Sequence, residues 1–481
     1  MVKKSMSVNA IANGLRTVLQ VIFPLITYPY VSHILQVENM GKYSFSASIV
    51  SYVALFAGLG VETYAVREGA KYRDNKNDFR RFASEVFTIN VFSTIVAYIA
   101  LFVIVEFFSA KLHSYSSLIY TLSIGVIFTT LGCSWIYSIY EEYVYIAIRG
   151  IVFQIFSIVL LFTCVKTKED LLKYAFISVV SSSGSNIVNI LGLKRFGRPT
   201  LVWRFNLRNR LIPILILFAN SLATTIYVNS DTTILGFLSS DYYVGIYSVS
   251  TKIYILVKQL LSAIIIVSIP RLSYFYGNNE RQEFTSLAKK IINSLVITVL
   301  PATVGLFALS KNIVVFISAP SFVDAQYSME VLSLALVFSL FSWFYTSCIL
   351  IPAKQEKLVL KATILSAIVN VGLNFALIPL WQERAAALTT VIAEACSLII
   401  CFIASKKIAH VLPTKSNLIE SVIGCAYIVG VCLVVGKLKL SNTIIVLMGI
   451  VISAIGYLLI LNLLKNETLN YLIHNLIRKR K

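Results

Sequence analysis

Apolar segments recur along the whole chain, each separated from the next by a short stretch of polar or charged residues. Each is long enough for an α-helix to cross a hydrocarbon core of about 30 Å. The pattern predicts an all-α polytopic membrane protein with about fourteen transmembrane helices and no sizeable soluble domain. The predicted spans are residues 8–32, 43–63, 83–107, 115–139, 143–164, 170–192, 210–237, 242–270, 288–309, 325–351, 359–380, 385–405, 417–436 and 442–464.

Composition supports this interpretation. Of 481 residues, 57% are hydrophobic and 13% are charged, and the mean hydropathy is +0.80. Soluble domains are about 45–50% apolar and about 25% charged. The seven cysteines all fall within apolar spans without paired spacing, so we interpret them as small packing residues rather than disulfides or metal ligands.

The distribution of basic residues predicts the orientation. An even number of spans puts both termini on one side, and most of the 42 lysines and arginines then lie on that side. By the positive-inside rule, both termini are cytoplasmic. The basic residues cluster in short loops such as 67–81 and 194–210, where they attract anionic lipid headgroups. The net charge of +20 therefore predicts contact with membrane lipids and no nucleic-acid partner.

A weak internal repeat divides the first twelve helices into two sets of six. Gly41-Lys42-Tyr43-Ser44 resembles Gly245-Ile246-Tyr247-Ser248, and Asn90 corresponds to Asn293. A parallel repeat of this kind places two lobes around a central cavity. The predicted domains are an N-lobe at 1–193, a basic cytoplasmic linker at 194–209, a C-lobe at 210–410, and helices 13 and 14 with a basic tail at 411–481.

Polar residues inside the spans are the candidate site, because ionisable groups are costly in a membrane. Helices 1 and 7 each carry four polar residues on one face. Other spans contain Arg149, Lys252, Lys258 and Glu394. The predicted anion-binding residues are Arg16, Arg149, Lys252, Lys258, Asn9, Asn13, Gln20, Asn220, Thr224 and Tyr227. They suit a phosphate or pyrophosphate, and Asp231 and Glu394 suit a coupling cation. The alternative is that these groups hold the helices together by hydrogen bonds or buried ion pairs.

Two further features bear on mechanism. Pro24 and Pro29 predict kinks in helix 1, which serve either as a hinge or as fixed bends that shape the packing. The chain has no GxxxxGK[ST] motif and no loop with clustered acidic or histidine residues. We therefore predict a transporter rather than an enzyme, with no catalytic residue, no cofactor and no metal site.

Three segments carry a family resemblance. The stretch FPLITYPYVSHILQVENMGKYSFSASIVSYVALFAGLGVETYAVREG at 23–69 resembles the N-terminal signature of Wzx-type polysaccharide flippases, in the multidrug/oligosaccharidyl-lipid/polysaccharide exporter superfamily. Residues 229–273, including Asp231, and 366–397 are also similar. Arg384 precedes Ala385-Ala386 where the family usually has glycine followed by two alanines, which is a departure at the start of helix 12.

The resemblance implies two six-helix lobes around a cationic cavity. It also implies that an undecaprenyl-pyrophosphate-linked oligosaccharide is moved from the inner to the outer leaflet of the bacterial plasma membrane, driven by an ion gradient. The implied partners are this substrate, membrane lipids, a proton or sodium ion, and polysaccharide polymerase or export proteins. The end product stays open between O-antigen, capsule and another surface glycan.

Other functions remain open from the residues. Another exporter of the superfamily would carry a teichoic acid or peptidoglycan lipid precursor, or a small cation, although a cation exporter should have an acidic cavity. A membrane glycosyltransferase or polymerase needs an acid–base pair near one interface, and the sequence offers none that is convincing. A structural scaffold would tolerate the loss of Arg16 or Lys252.

Overall fold

The computed structural model describes residues 6–203, 207–438 and 440–471, with side chains for 22–203, 210–438 and 440–471. All regular secondary structure in these ranges is helical, which confirms the all-α prediction. The first helices are α1 (Met6–Gly58), α2 (Val61–Gly69), α3 (Lys76–Val103), α4 (Ala110–His113), α5 (Ser116–Gly132), α6 (Ser134–Ile139), α7 (Tyr143–Cys164), α8 (Leu171–Val179) and α9 (Ser185–Gly192). The later ones are α10 (Leu207–Leu238), α11 (Asp241–Gly277), α12 (Arg281–Ala308), α13 (Ser310–Ile317), α14 (Ala325–Phe344), α15 (Glu356–Ser405), α16 (Lys415–Gly436) and α17 (Asn442–Leu463).

Short non-α segments extend several of these helices. Three π-helical segments, at Ile104–Phe108, Val180–Gly184 and Tyr345–Leu350, follow α3, α8 and α14 directly. Three 3₁₀ turns lie at Lys168–Asp170, Leu193–Phe196 and Pro320–Phe322. Such π segments occur mainly as local bulges in longer helices. They let α3, α8 and α14 continue as longer helical rods.

Eleven helical segments of the described chain are long and apolar enough to cross a membrane, and Ser116–Gly132 is a shorter apolar helix. The prediction of a polytopic membrane protein is therefore confirmed. Several bounds agree closely with the sequence pattern: α7 is Tyr143–Cys164 against a predicted 143–164, and α17 is Asn442–Leu463 against 442–464.

Two of the long helices contain a sharp backbone break. α1 has 53 residues and α15 has 50, so each would be about 75–80 Å long if straight, far more than the hydrocarbon core requires. Gln36 breaks α1 at φ 63°, ψ 178°, and Gln382 breaks α15 at φ 45°, ψ −122°. Positive φ is uncommon for a residue with a side chain. Each break falls between two spans that the sequence predicts as separate helices.

The chain divides into two compact units, Met1–Phe237 and Leu238–Lys481. The boundary between these units differs from the predicted start of the C-lobe at residue 210. The difference is α10, which packs within the first unit. Gly236 of α10 lies directly against the Phe45 ring, and Thr233 Oγ1 donates to Ser48 Oγ at 2.9 Å. Small and polar residues permit this close helix contact. The finer division into four domains stays a prediction.

Gly236→Ala is expected to destabilise the first unit by about 1–3 kcal/mol, as overpacking does in well-packed cores. The added Cβ would overlap the ring atoms of Phe45. The matched control is Gly150→Ala in α7, where an added Cβ meets nothing within 4 Å. The check is the thermal unfolding temperature of the two purified variants. Equal midpoints would contradict the close contact between α1 and α10.

The last two helices dock onto α12 in the second unit. Thr414 N donates to Asn293 Oδ1 at 2.9 Å, and Asn417 Nδ2 donates to Asn293 O at 3.0 Å. On α17, Tyr457 OH donates to Ile297 O at 3.0 Å. Buried polar bonds of this kind fix one arrangement of neighbouring helices. Helices α16 and α17, which the sequence places outside the repeat, are thus held against α12 by hydrogen bonds to Asn293 and Ile297. Asn293 is the residue predicted to correspond to Asn90.

Candidate functional site

An ion pair lies inside the second unit, between α11 and α15. Lys258 Nζ is 3.0 Å from Glu394 Oε1, and Tyr254 OH donates to the same carboxylate oxygen at 3.3 Å. Lys258 Nζ also donates to Tyr254 OH at 3.2 Å. The side chain of Glu394 is 8% exposed and that of Lys258 is 25% exposed. The structure therefore brings together a predicted anion-binding residue and a predicted coupling residue, and their charges neutralise each other.

Lys252 lies six residues before Lys258 on α11, and the helical repeat places its side chain about 120° away around the helix. It is half-buried. Among the described residues it makes no hydrogen bond, ion pair or ring contact. A charged amine in an apolar helix without a counter-ion is costly unless it meets water or a ligand. Of the predicted cations with described side chains, Lys252 keeps an uncompensated charge.

A buried polar cluster lies between the two halves of α15. Thr389 Oγ1 donates to Asn374 Oδ1 at 2.6 Å, and Asn374 Nδ2 donates to Asn370 Oδ1 at 3.2 Å. All three side chains are at most 1% exposed. Because these bonds connect residues on either side of the Gln382 break, they fix the angle at which the chain turns back on itself.

Arg149 is held inside the first unit by aromatic rings and a backbone carbonyl. Its Nη1 donates to Ser185 O at 3.2 Å, and its guanidinium carbon is 5.8 Å from the ring centroids of both Tyr137 and Tyr145. The two rings stack with centroids 5.1 Å apart. Cation–π contacts stabilise a desolvated guanidinium by about 2 kcal/mol. These contacts favour a packing role for Arg149, and its binding of an anion stays a prediction.

The predicted polar face of helix 7 runs along α10 from exposed to buried positions. Asn220 and Thr224 are exposed, Tyr227 is half-buried, and Asp231 is 6% exposed. Asp231 interacts electrostatically with Tyr52 of α1. The acidic group thus lies at the buried end of the face, where a charged carboxylate requires nearby polar groups.

The remaining sequence predictions concern α1. The side chains of Asn9, Asn13, Arg16 and Gln20 lie outside the part of the chain whose side chains are described. Pro24 and Pro29 lie within α1, but its non-helical residue is Gln36, seven positions after Pro29. A hinge at the two prolines stays a prediction. The backbone break lies at Gln36, a residue that hydropathy does not single out.

Residues 7–275, more than half of the chain, match the family described as polysaccharide biosynthesis protein. The chain belongs to this family. The match covers α1 to most of α11, and so includes both Asp231 and Lys252. The resemblance to Wzx-type polysaccharide flippases is thereby confirmed.

Similar proteins agree with this membership. A protein of Escherichia coli (strain K12) named as an O-antigen transporter is 25% identical over 80% of this chain and 94% of its own length. One of the same name from Shigella dysenteriae is 23% identical over 74% and 89%. The solved structure of the lipid II flippase MurJ in an inward closed conformation superposes with a TM-score of 0.73, at 15% identity, over 96% of this chain and 99% of that chain. The prediction of a transporter rather than an enzyme is confirmed by these relatives.

Sequence reasoning missed two features of this family member. Tyr254 completes the Lys258–Glu394 pair, and its i, i+4 spacing from Lys258 was a usable signal. The second is a shared carboxylate: Glu85 accepts from Arg210 Nε at 2.9 Å and from Arg81 Nε at 3.3 Å. The i, i+4 spacing of Arg81 and Glu85 was a local signal, but Arg210 is far from both in sequence, so no spacing could have indicated that they share the carboxylate.

Proposed function

We propose that this chain is a flippase that moves lipid-linked oligosaccharide repeat units from the inner to the outer leaflet of the bacterial plasma membrane, for cell-surface polysaccharide synthesis. The observation that carries the proposal is that Lys252, half-buried in an apolar helix, has no counter-ion among the described residues. A lysine ammonium binds phosphate oxygens as a compact charge. An undecaprenyl-linked pyrophosphate is an anion that enters the membrane region with its lipid, and so matches such a cation.

The proposed topology has fourteen crossings with both termini in the cytoplasm. The breaks at Gln36 and Gln382 divide two of the eleven long segments, and Ser116–Gly132 adds one crossing. The excess of basic residues in the loops on one side supports this orientation. Transport then proceeds by alternating access, with each leaflet exposed in turn.

For the driving force we propose a proton or sodium ion acting at the buried carboxylates Asp231 and Glu394. In the described conformation Lys258 neutralises Glu394, so binding of a cation there requires the pair to separate. Separation would free Lys258 for the anionic substrate. This exchange of partners would couple the cation to the cargo without any enzymatic step, and a ligand that favours one arrangement shifts the balance between the two.

The test is to determine which leaflet holds the lipid-linked repeat units when the gene is deleted. We expect lipid-linked repeat units to accumulate on the cytoplasmic leaflet, inaccessible to a lectin added to spheroplasts. A strain without the polysaccharide polymerase is the matched control, because its repeat units should accumulate on the outer leaflet and bind the lectin. Repeat units that reach the outer leaflet at the normal rate in the deletion strain would refute the proposal.

A further inference from the structure

An apolar groove runs along the first unit between α1 and α3. Its volume is about 890 Å³. Helix α3 and the π segment after it line the groove from Thr88 to Ile104, α1 and the next residue line it from Ile49 to Leu59, and α10 contributes Leu211 and Phe237. We call it the α1–α3 groove. Lining residues such as Phe92 and Val96 are more than half exposed, so the groove is open at the surface of the first unit.

The α1–α3 groove offers few polar groups to a ligand. No charged side chain lines it. Its hydroxyls are bonded within the protein: Thr88 Oγ1 donates to Ser84 O at 2.7 Å, Ser93 Oγ donates to Ala57 O at 2.6 Å, and Thr233 Oγ1 donates to Ser48 Oγ at 2.9 Å and to Tyr52 OH at 3.4 Å. A polar occupant would lose its bonds to water without replacement. The surface therefore matches a hydrocarbon.

The length of the groove indicates which kind of hydrocarbon chain can fill it. Thr88 on α3 and Ile104, the first residue of the π segment that follows it, are sixteen residues apart, which is about 24 Å at the rise of an α-helix. One leaflet contributes only about 15 Å of hydrocarbon, half of the membrane core. An acyl chain of a phospholipid in one leaflet is therefore too short to fill the groove from end to end. A long polyisoprenoid chain is long enough to do so.

The Thr88 end of the groove carries positive charge. There Val202 N donates to Thr88 Oγ1 at 3.0 Å, and Trp203 packs edge-on against Phe92 with centroids 6.2 Å apart. One turn before Thr88 on α3, Glu85 is shared by Arg81 and Arg210. Two arginines on one carboxylate leave a net positive charge, and the Arg81 side chain is 82% exposed. A phosphate attached to the chain in the groove would meet this charge.

We infer that the α1–α3 groove holds the polyisoprenoid chain of the carrier lipid, with its phosphate beside Arg81 and Arg210 when the lipid first binds, before the head group reaches Lys252. The inference rests on the proposed function, since that function supplies the lipid carrier. The groove gives the chain a path along the protein while the head group crosses. Binding of the chain also contributes affinity that does not depend on the sugar.

The test is photolabelling of the full-length protein in nanodiscs with an undecaprenyl phosphate that carries a diazirine on its chain. Ala100→Trp should fill the groove and lower labelling at least fivefold, because Ala100 lines it. Ile99→Trp is the matched control, since Ile99 is 59% exposed on the same helix and does not line the groove. It should label as the unmodified protein does. Val96→Trp is a second filling variant in case Ala100→Trp does not fold.

Two outcomes would overturn the inference. One is equal labelling of the filled and control variants. The other is that phosphatidylglycerol with the same diazirine labels the groove and is not displaced by undecaprenyl phosphate, which would make ordinary lipid the occupant. Either failure leaves the leaflet assay in the deletion strain unaffected. Failure of that assay would instead remove the proposed function, whatever the photolabelling shows.

Discussion

Lys258→Met is expected to lower the free energy of unfolding by about 3 kcal/mol. Removing one partner of a buried ion pair leaves the other charge uncompensated, which typically costs about 3–5 kcal/mol. Tyr254 still donates to the remaining Glu394 carboxylate, so the lower end of that range applies. The measurement is denaturant or thermal unfolding of the purified protein, followed by intrinsic fluorescence.

Two variants control this prediction. In Lys258→Met/Glu394→Leu both charges are gone, and most of the lost stability should return because apolar replacements of a buried pair are often neutral. Lys252→Met removes a lysine of the same helix that has no described partner, and it should not destabilise the protein. If Lys258→Met and Lys252→Met unfold at the same midpoint, Lys258 and Glu394 do not form the pair.

The helical architecture was predictable because the membrane imposes it. Long apolar segments must satisfy their backbone hydrogen bonds internally, so hydropathy alone indicates helices and their approximate ends. It also predicts the two halves of α1 and of α15 as separate helices. It could not indicate which residue turns the chain, because the positive φ values fall on Gln36 and Gln382 and not on a glycine or proline.

The contacts of α10 show what a repeat pattern leaves open. The repeat predicts that this helix begins the second lobe, and that assignment stays a prediction; Gly236 and Thr233 pack the helix against α1 in the first unit. A repeat indicates common ancestry of segments. It does not say which neighbour a helix contacts, since that depends on side-chain size at a few positions far apart in sequence.

The candidate site was predictable in residue type but not in pairing. Intramembrane charge singled out Lys252, Lys258 and Glu394, whose roles stay predictions. That Glu394 pairs with Lys258, and that Lys252 has no partner in the described part of the chain, depends on the contact between α11 and α15, which no spacing rule gives. The distinction matters for function, because a paired lysine stabilises the fold whereas one without a counter-ion is available to a ligand.

Lys252→Met is accordingly expected to reduce transport of repeat units at least tenfold while leaving the amount of folded protein unchanged. A hydrogen bond to a charged group contributes about 1.5–3 kcal/mol, and each 1.4 kcal/mol is a factor of ten in binding. Methionine keeps the apolar stem and removes only the ammonium charge. The measurement is lectin binding to spheroplasts of the deletion strain that expresses the variant.

Lys252→Arg should restore most of the transport, since a guanidinium also binds phosphate oxygens. Lys289→Met on α12 is the control for general loss of positive charge, because Lys289 is exposed and lies outside the candidate site. It should transport as the unmodified protein does. Normal transport by Lys252→Met would show that the uncompensated charge on α11 does not bind the cargo, and an equal loss in Lys289→Met would assign the effect to net charge instead.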